Sequence, residues 1–237
     1  MGRLSRILSS ETYVGITLAA AALLTYNNWL LGPYLNRELF LRNGSVSEFS
    51  AITQPHHWIF RGLDILSGAL LILFSFYLAR RITRASIGGK VLIFGSAILG
   101  AANIFDALFA LRCSETLNAG CSIGVSLSPS HFQMPAHGYS SVIIACCYLL
   151  LPLAGFLYGV AKQHKVLIFF SAVAAAMALE SLLSAIFQYL SLQSLTVHTS
   201  GTGQEIQMLA LAVWYVCLAF SLRRPVPKRA RQLEAIS

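Results

Sequence analysis

Long apolar runs recur along the chain and are separated by short polar segments. A helix needs roughly 17 to 25 residues to cross a hydrocarbon core about 30 Å thick. Six runs reach that length, near residues 13–33, 58–79, 91–111, 137–160, 166–190 and 205–222. The pattern predicts an all-α fold, in which residues 1–222 form a polytopic membrane bundle of six transmembrane helices. We expect residues 223–237 to form a basic, disordered cytoplasmic tail.

Composition and charge agree with this assignment and set its orientation. The chain is 56% hydrophobic and only 11% charged, whereas soluble domains are about 25% charged. With the N-terminus inside, 13 of the 17 Lys and Arg residues fall on the same side. The positive-inside rule therefore predicts cytoplasmic termini, in the plasma (inner) membrane. The net charge of +8 is explained by topology and by contact with anionic membrane lipids, not by nucleic-acid binding.

Two pairs of helices resemble each other. KVLIFGSAILGAANIFDALFA begins at Lys90, and KVLIFFSAVAAAMALESLLSA begins at Lys165; each contains one late acid, Asp106 or Glu180. The helix before each begins with Pro-x-His. We interpret helices 2–3 and 4–5 as a parallel duplication of one helical hairpin, which would place the two acids symmetrically about one cavity. Chance similarity between apolar helices is the alternative.

The second span begins with polar residues, in the stretch QPHHWIFRGLD. A charged group near the bilayer centre costs about 2.5–3.5 kcal/mol, so such groups usually face the bundle interior. Arg61 and Asp64 are three residues apart and can pair on one helical face. The later acids need partners from other helices, and His57, His137 and Arg61 are the candidates. We therefore predict a polar pocket in the outer half of the bundle, lined by His57, Asp64, Asp106, His137 and Glu180.

These residue types suggest three kinds of role. Carboxylates can act as general acids and bases, and imidazoles can bind a divalent metal such as zinc. The candidate catalytic residues are Asp64, Asp106 and Glu180; the candidate binding residues are His56, His57, Arg61, His131 and His137; and the candidate metal ligands are His57 and His137. No compact zinc motif is present, so metal ligands would come from separate helices. Alternatively, the histidines lie at headgroup depth and the acids form structural pairs.

From this pocket we form the hypothesis that the protein binds or modifies a lipid or lipid-linked molecule of the outer leaflet. Whether it is an enzyme stays open. A non-catalytic scaffold or assembly factor is the first alternative, with a membrane-protein partner or a second copy of the chain. A proton-linked transporter is the second, and the nearly apolar cytoplasmic half of the helices argues against it.

The cysteines and two local motifs give further expectations. Cys113 and Cys121 lie in one predicted outer loop, where a disulfide would form in an oxidising compartment. Asn27 and Asn28, within the first span, are expected to hydrogen-bond between helices. Thr202-Gly-Gln-Glu205 has the pattern of a capping box at the start of the last helix.

The segment SVSEFSAITQPHHWIFRGLDILSGALLILFSFYLARR resembles the signature region of a family of small six-helix bacterial and archaeal membrane proteins of unknown function. The ending GTGQEIQMLALAVWYVCLAFSLRR is similar to the last helix of that family. In layout the chain is also similar to DRAM-like and Frag-like membrane proteins, some of which are tied to lipid-anchor remodelling. The resemblance implies six helices and an outward-facing first loop, but no catalytic residues. The His56-His57 pair and the Cys113/Cys121 loop depart from the family pattern.

Overall fold

The computed structural model describes residues 3–82, 86–121, 133–189 and 201–222, and within them the protein is helical without β-strands. The tail at 223–237 lies outside the described residues. Two short 3-10 helices occur at Asn28–Leu31 and Val46–Ser50. The α-helices are α1 (Arg3–Tyr26), α2 (Gly32–Leu35), α3 (Arg37–Leu41), α4 (His57–Arg81), α5 (Ile87–Leu108), α6 (Gln133–Lys162), α7 (Lys165–Tyr189) and α8 (Gly201–Ser221).

Five helices, α4 to α8, are long and apolar enough to cross a membrane. Their outer faces carry large apolar side chains such as Phe94, which is 63% exposed, and Val166, which is 64% exposed. Exposed apolar surface of this extent would be costly in water and is suited to contact with lipid. The prediction of a multi-pass helical membrane protein is therefore confirmed.

The predicted first span, residues 13–33, is not one straight helix. Thr12–Tyr26 and Asn28–Leu35 meet at an angle of 52°, and they make a sixth span only if the bent pair is counted as one. At the bend, Asn27 Nδ2 donates to the carbonyl of Leu23 at 2.8 Å, and Trp29 Nε1 donates to Asn27 Oδ1 at 3.1 Å. Pro33 has no N–H to continue an α-helix across this region. Local side-chain bonds and a proline therefore bend the span.

The six long helices pack as a ring, in which each contacts its neighbours in the order α1, α4, α5, α6, α7, α8 and back to α1. Successive helices run in opposite directions. We call the end where α4 begins, with residues 36–56 and 109–121, the loop end. The opposite end, which carries Arg80, Arg81, Lys90, Lys162 and Lys165, is the basic end. The predicted hairpins are therefore present as α4–α5 and α6–α7, while their origin by duplication stays a prediction.

A close helix crossing in this ring joins α4 to α5 through two glycines. A Cβ added at Gly68 would lie 2.4 Å from the carbonyl oxygen of Gly100, and one added at Gly100 would lie 2.5 Å from that of Gly68. Small residues permit such close backbone contact between membrane helices. Asp64 lies one turn from this crossing on α4, and Asn103 lies one turn from it on α5. The crossing thus positions both polar side chains at the loop end.

Aromatic side chains fill the bundle between the loop end and the basic end. Phe74, Trp214 and Tyr215 are fully buried, and the rings of Phe74 and Tyr215 meet edge to face at 5.6 Å. Their polar atoms are satisfied, because Trp214 Nε1 donates to Ser171 Oγ at 2.8 Å and Tyr215 OH donates to Ser96 Oγ at 3.1 Å. This aromatic layer closes the centre of the described bundle on its basic side.

Loop contacts, rather than the predicted Thr202–Glu205 capping box, begin the last helix. α8 starts at Gly201, and both the backbone N–H and the hydroxyl of Thr202 donate to Asn43 Oδ1, at 2.7 and 2.8 Å. Asn43 adopts a left-handed φ of 56°, which asparagine tolerates better than most residues. The cap is therefore supplied from a segment far away in the sequence, which local motifs do not reveal.

The α4–α5 crossing can be tested with one substitution. We expect Gly68→Ala to lower the free energy of unfolding by about 1–3 kcal/mol, the usual cost of overpacking, because its methyl group meets backbone rather than a movable side chain. Gly62→Ala is the matched control on the same helix, since a Cβ there meets nothing within 4 Å. Thermal unfolding in detergent would measure both. Equal unfolding temperatures for the two variants would contradict the crossing.

Candidate functional site

A cavity of about 240 Å³ lies at the loop end, inside the ring. We call it the central cavity. Every long helix and the 3-10 helix at Val46–Ser50 contribute to its wall. The polar lining residues are Tyr26, Ser47, Ser50, Asp64, Asn103, Asp106, Ser141, Tyr148, Ser181, Gln204 and Gln207, and the apolar ones are Val46, Ile144, Ala145, Ala178, Leu182 and Met208. The volume is slightly below the roughly 300–1,000 Å³ of drug-sized pockets, so it suits a small polar group.

Two carboxylates line the central cavity, and other helices hold each of them. Asn28 Nδ2 donates to Asp64 Oδ1 at 2.6 Å, which confirms the expectation that Asn28 bonds between helices. Ser140 Oγ donates to Asp106 Oδ1. His137 Nδ1 lies 2.9 Å from the same oxygen, close enough for an ion pair but without the alignment of a hydrogen bond. Asp64 and Asp106 therefore line one cavity, and His137 lies beside Asp106.

The expected Arg61–Asp64 pair is wrong, because the guanidinium is used elsewhere. Arg61 Nε donates to the carbonyl of Ala107 at 2.8 Å, and its Nη2 donates to the carbonyl of Leu108 at 3.4 Å. These carbonyls end α5, where the backbone lacks intrahelical donors. Arg61 thus caps the neighbouring helix α5. The carboxylate of Asp64 is held by the amide of Asn28 instead.

One cavity side chain has no hydrogen-bond partner among the residues that the structure describes. Asn103 is 2% exposed, yet both its amide nitrogen and its amide oxygen lack a hydrogen-bond partner. A buried polar group left without a hydrogen bond typically costs about 1–3 kcal/mol. Asn103 lines the central cavity, so a bound molecule in the cavity could satisfy both groups.

Tyrosines and an opening complete the site. The hydroxyls of Tyr148 and Tyr26 are hydrogen-bonded, with Tyr148 as the donor, so the hydrogen of Tyr26 is not used in that bond.

On the side formed by α6 and α7, the lining residues Ser141, Ala145 and Leu182 are exposed. The central cavity is therefore open on that side and not sealed.

The remaining candidate residues lie outside the lining. His56 directly precedes α4 and has a left-handed φ of 55°. His57 Nδ1 lies 3.1 Å from the carbonyl of Gln54. Both therefore shape the turn into α4. Glu180 is exposed on α7 and is not among the residues that line the cavity with Asp106. His131 lies outside the described residues.

A metal centre is not formed by the described part of the chain. Among those residues, no group of three or more His, Cys, Asp or Glu side chains is placed to hold an ion. His137 contacts Asp106, and His57 contacts Gln54, so the two imidazoles have separate surroundings. The zinc hypothesis therefore gains no support from this geometry.

Ser140, His137 and Asp106 do not have the arrangement of a nucleophilic triad. In such a triad the imidazole lies between serine and acid and removes the serine proton. Here Ser140 Oγ contacts the acid directly and also lies 2.8 Å from the carbonyl of His137. Ser140 is 1% exposed. Its role is to hold Asp106, and any acid–base role of Asp64 or Asp106 stays a prediction.

Glu48 organises the loops above the central cavity. Thr116 donates to it from its backbone and its hydroxyl, each at 3.0 Å, Ser114 Oγ donates as well, and the Ser45 backbone donates at 3.1 Å. The predicted Cys113–Cys121 disulfide is present and closes the loop that carries Ser114 and Thr116. These contacts fix the 3-10 helix whose residues line the cavity. Glu48 thus joins the first loop to the disulfide loop.

The electrostatic consequence is a lowered pKa of Glu48. Burial alone raises this pKa, but the hydrogen bonds from Ser114, Thr116 and Ser45 together outweigh burial and lower it from the ordinary 4.5. The folded state therefore favours the ionised carboxylate. The resulting stabilisation is complete above the ordinary pKa and is lost as the pH falls through the lowered one.

Replacement of Glu48 tests this network. We expect Glu48→Gln to lower the free energy of unfolding by about 2 kcal/mol at neutral pH, because bonds to a charged acceptor are lost. Acidification below pH 4.5 should destabilise the wild type more than the variant. Unfolding temperatures measured from pH 7 to pH 3 would show this. Glu38→Gln, which removes an exposed pair with Arg42, is the control; an identical pH response of all three proteins would refute the network.

Several site residues were not among the sequence-predicted ones: Asn103, Tyr26, Tyr148, Ser140 and Glu48. Asn103 carries the clearest signal, because it stands three residues before Asp106 and so shares its helical face. The tyrosines and Ser140 look like ordinary residues of membrane helices, and no spacing distinguishes them. Glu48 lies in a short 3-10 helix, and its partners Ser114 and Thr116 are more than sixty residues away.

One family model matches the chain, described as "Protein of unknown function (DUF998)", and it covers residues 19–221. That range includes the whole lining of the central cavity. No curated protein matches the chain, and no solved structure matches it. The layout similarity to DRAM-like and Frag-like proteins stays a prediction.

Proposed function

The chain belongs to the DUF998 family, whose function is unknown, and we propose that its central cavity binds the headgroup of a membrane lipid or lipid-linked molecule. The observation that carries the proposal is Asn103, whose buried amide faces the cavity with donor and acceptor both unpartnered. A polar headgroup supplies both kinds of partner. The family resemblance predicted no activity, so the proposal depends on the cavity alone.

The two-sided wall of the cavity supports an amphiphilic ligand. Its α4 and α5 side carries Asp64, Asn103 and Asp106, whereas the α6 and α7 side combines the apolar side chains of Ile144 and Leu182 with hydroxyl groups. The lining residues that are exposed lie on α6 and α7. A headgroup can therefore reach the polar side while apolar chains remain beside α6 and α7, in contact with lipid.

Charge supports the outer face of the plasma membrane as the location of the cavity. Clustered Lys and Arg residues mark the basic end, and such residues favour the cytoplasmic side. The loop end, with the disulfide Cys113–Cys121, then faces an oxidising compartment, where disulfides persist. This orientation would place both termini in the cytoplasm and the ligand in the outer leaflet.

Of the alternative functions, the aromatic layer argues against transport. Met208 lines the central cavity, and Trp214 and Tyr215 follow on α8 about 10 Å closer to the basic end. These fully buried rings occupy the path that a transported ion or solute would take. A scaffold without a ligand would leave Asn103 unsatisfied, so it explains less of the site.

The proposal predicts a bound amphiphile. Wild-type protein purified in detergent and extensively washed should retain about one extractable lipid or lipid-linked molecule per chain, measured by mass spectrometry of its organic extract. We expect Ala145→Phe, which fills the cavity from an exposed lining position, to reduce that amount at least fivefold, since the headgroup then has no room.

The matched control is Ala101→Phe, the same substitution at an exposed position on α5 that does not line the cavity. This substitution adds the same apolar surface to the lipid-facing side of α5, and the variant should retain as much extractable amphiphile as the wild type. Equal retention by all three proteins, or no retained amphiphile in the wild type above the Ala145→Phe level, would overturn the proposal.

A further inference from the structure

The central cavity offers a set of unused hydrogen-bond acceptors. The contacts of both carboxylates with the protein involve Oδ1: Asn28 meets that atom of Asp64, and Ser140 and His137 meet that atom of Asp106. No contact of the described residues occupies Oδ2 of either acid. With the unpartnered oxygen of Asn103, three acceptors on two adjacent helices line one cavity.

Fixed positive charge is missing from this lining. None of the lining residues is Lys or Arg, and Arg61 is bonded to the end of α5. Residues 122–132 and 190–200 lie outside the description, and their sequences contain no Lys or Arg. The imidazole of His137 lies beside Asp106, 2.9 Å from its Oδ1. Two acids in one low-dielectric cavity therefore favour a cationic ligand.

The acceptor set matches a primary ammonium group better than other cations. An alkylammonium has three N–H donors, equal in number to the three unused acceptors. Among the described residues, no group of three or more His, Cys, Asp or Glu side chains is placed to hold a metal ion. A quaternary ammonium has no N–H, so it would leave the acceptors unsatisfied. The rings of Tyr26 and Tyr148, which also line the cavity, can add cation–π attraction.

We propose that the headgroup bound in the central cavity carries a primary amine, held between Asp64, Asp106 and the amide of Asn103. This inference rests on the proposed function. The amine could belong to a lipid headgroup or to a soluble amine, and both present the same ammonium chemistry. The open side along α6 and α7 and its apolar wall favour the lipid.

Ligand titrations test the amine directly. Dihexanoyl phosphatidylethanolamine should raise the unfolding temperature of detergent-purified wild type saturably, whereas dihexanoyl phosphatidylglycerol and phosphatidylcholine should bind at least tenfold more weakly. Asp64→Asn, which keeps the side-chain shape but removes the charge, should weaken phosphatidylethanolamine binding at least tenfold. Asn103→Leu, which removes the amide, should weaken it several-fold. Glu38→Gln, far from the lining on the exposed face of α3, is the control and should bind as the wild type does.

Unfolding temperatures without lipid show whether each variant is folded, and the two lining variants provide independent tests. Equal affinity for phosphatidylglycerol, or undiminished binding of phosphatidylethanolamine by a folded Asp64→Asn or Asn103→Leu, overturns the amine inference. Retention of an amphiphile that Ala145→Phe loses would still support the proposed function.

Soluble probes distinguish the remaining possibilities. Ethanolamine or putrescine could bind as tightly as phosphatidylethanolamine, with Asp64→Asn abolishing the binding of the soluble amine. That result would support the ammonium site and contradict the lipid proposal. If calcium or sodium chloride alone raises the unfolding temperature in an Asp64-dependent manner, the site is one for inorganic cations and the inference is wrong.

Discussion

The contact on which the site depends is the crossing of α4 and α5 at Gly68 and Gly100. Each glycine lies against the other's backbone carbonyl, where no side chain fits. Because the helices are this close, polar residues one turn beyond the crossing are brought to the same cavity wall. Asp64 and Asn103 owe their proximity to that contact.

The polar network shows how a membrane bundle can keep acids in its interior. Asp64 receives an amide hydrogen bond from the segment after α1, and Asp106 receives a hydroxyl hydrogen bond from α6. Each bond joins two separate elements of the bundle through polar atoms. The bend at Asn27 is part of this solution, since it presents Asn28 to α4. In a straight first span, Asn28 would be part of a continuous α-helix instead of following the bend.

Above the cavity, the loops are organised around Glu48 rather than around the helix ends. Its partners are in the disulfide loop, while Gln204 of α8 accepts from the backbone of Val46 at 2.8 Å. The loop end is therefore tied to the bundle from two directions, and the short helix at Val46–Ser50 can serve as a fixed part of the cavity wall. The basic end differs from the loop end, because its charged side chains lie at the ends of the helices.

The sequence by itself determined the membrane class, the long helices, the disulfide and the concentration of polar residues at one end. The spans can be recognised from local composition and length, because an apolar run of about 20 residues is long enough to cross a bilayer whatever its neighbours are. The disulfide follows from two cysteines in one short loop. Only the tertiary structure decided the partners: Arg61 caps α5 instead of pairing with Asp64, and Asn43 caps α8. It also placed Glu180 outside the cavity and Asn103 inside it. The reason is that side-chain partners in a bundle depend on helix rotation and crossing distance, which are set by contacts between residues far apart in the chain.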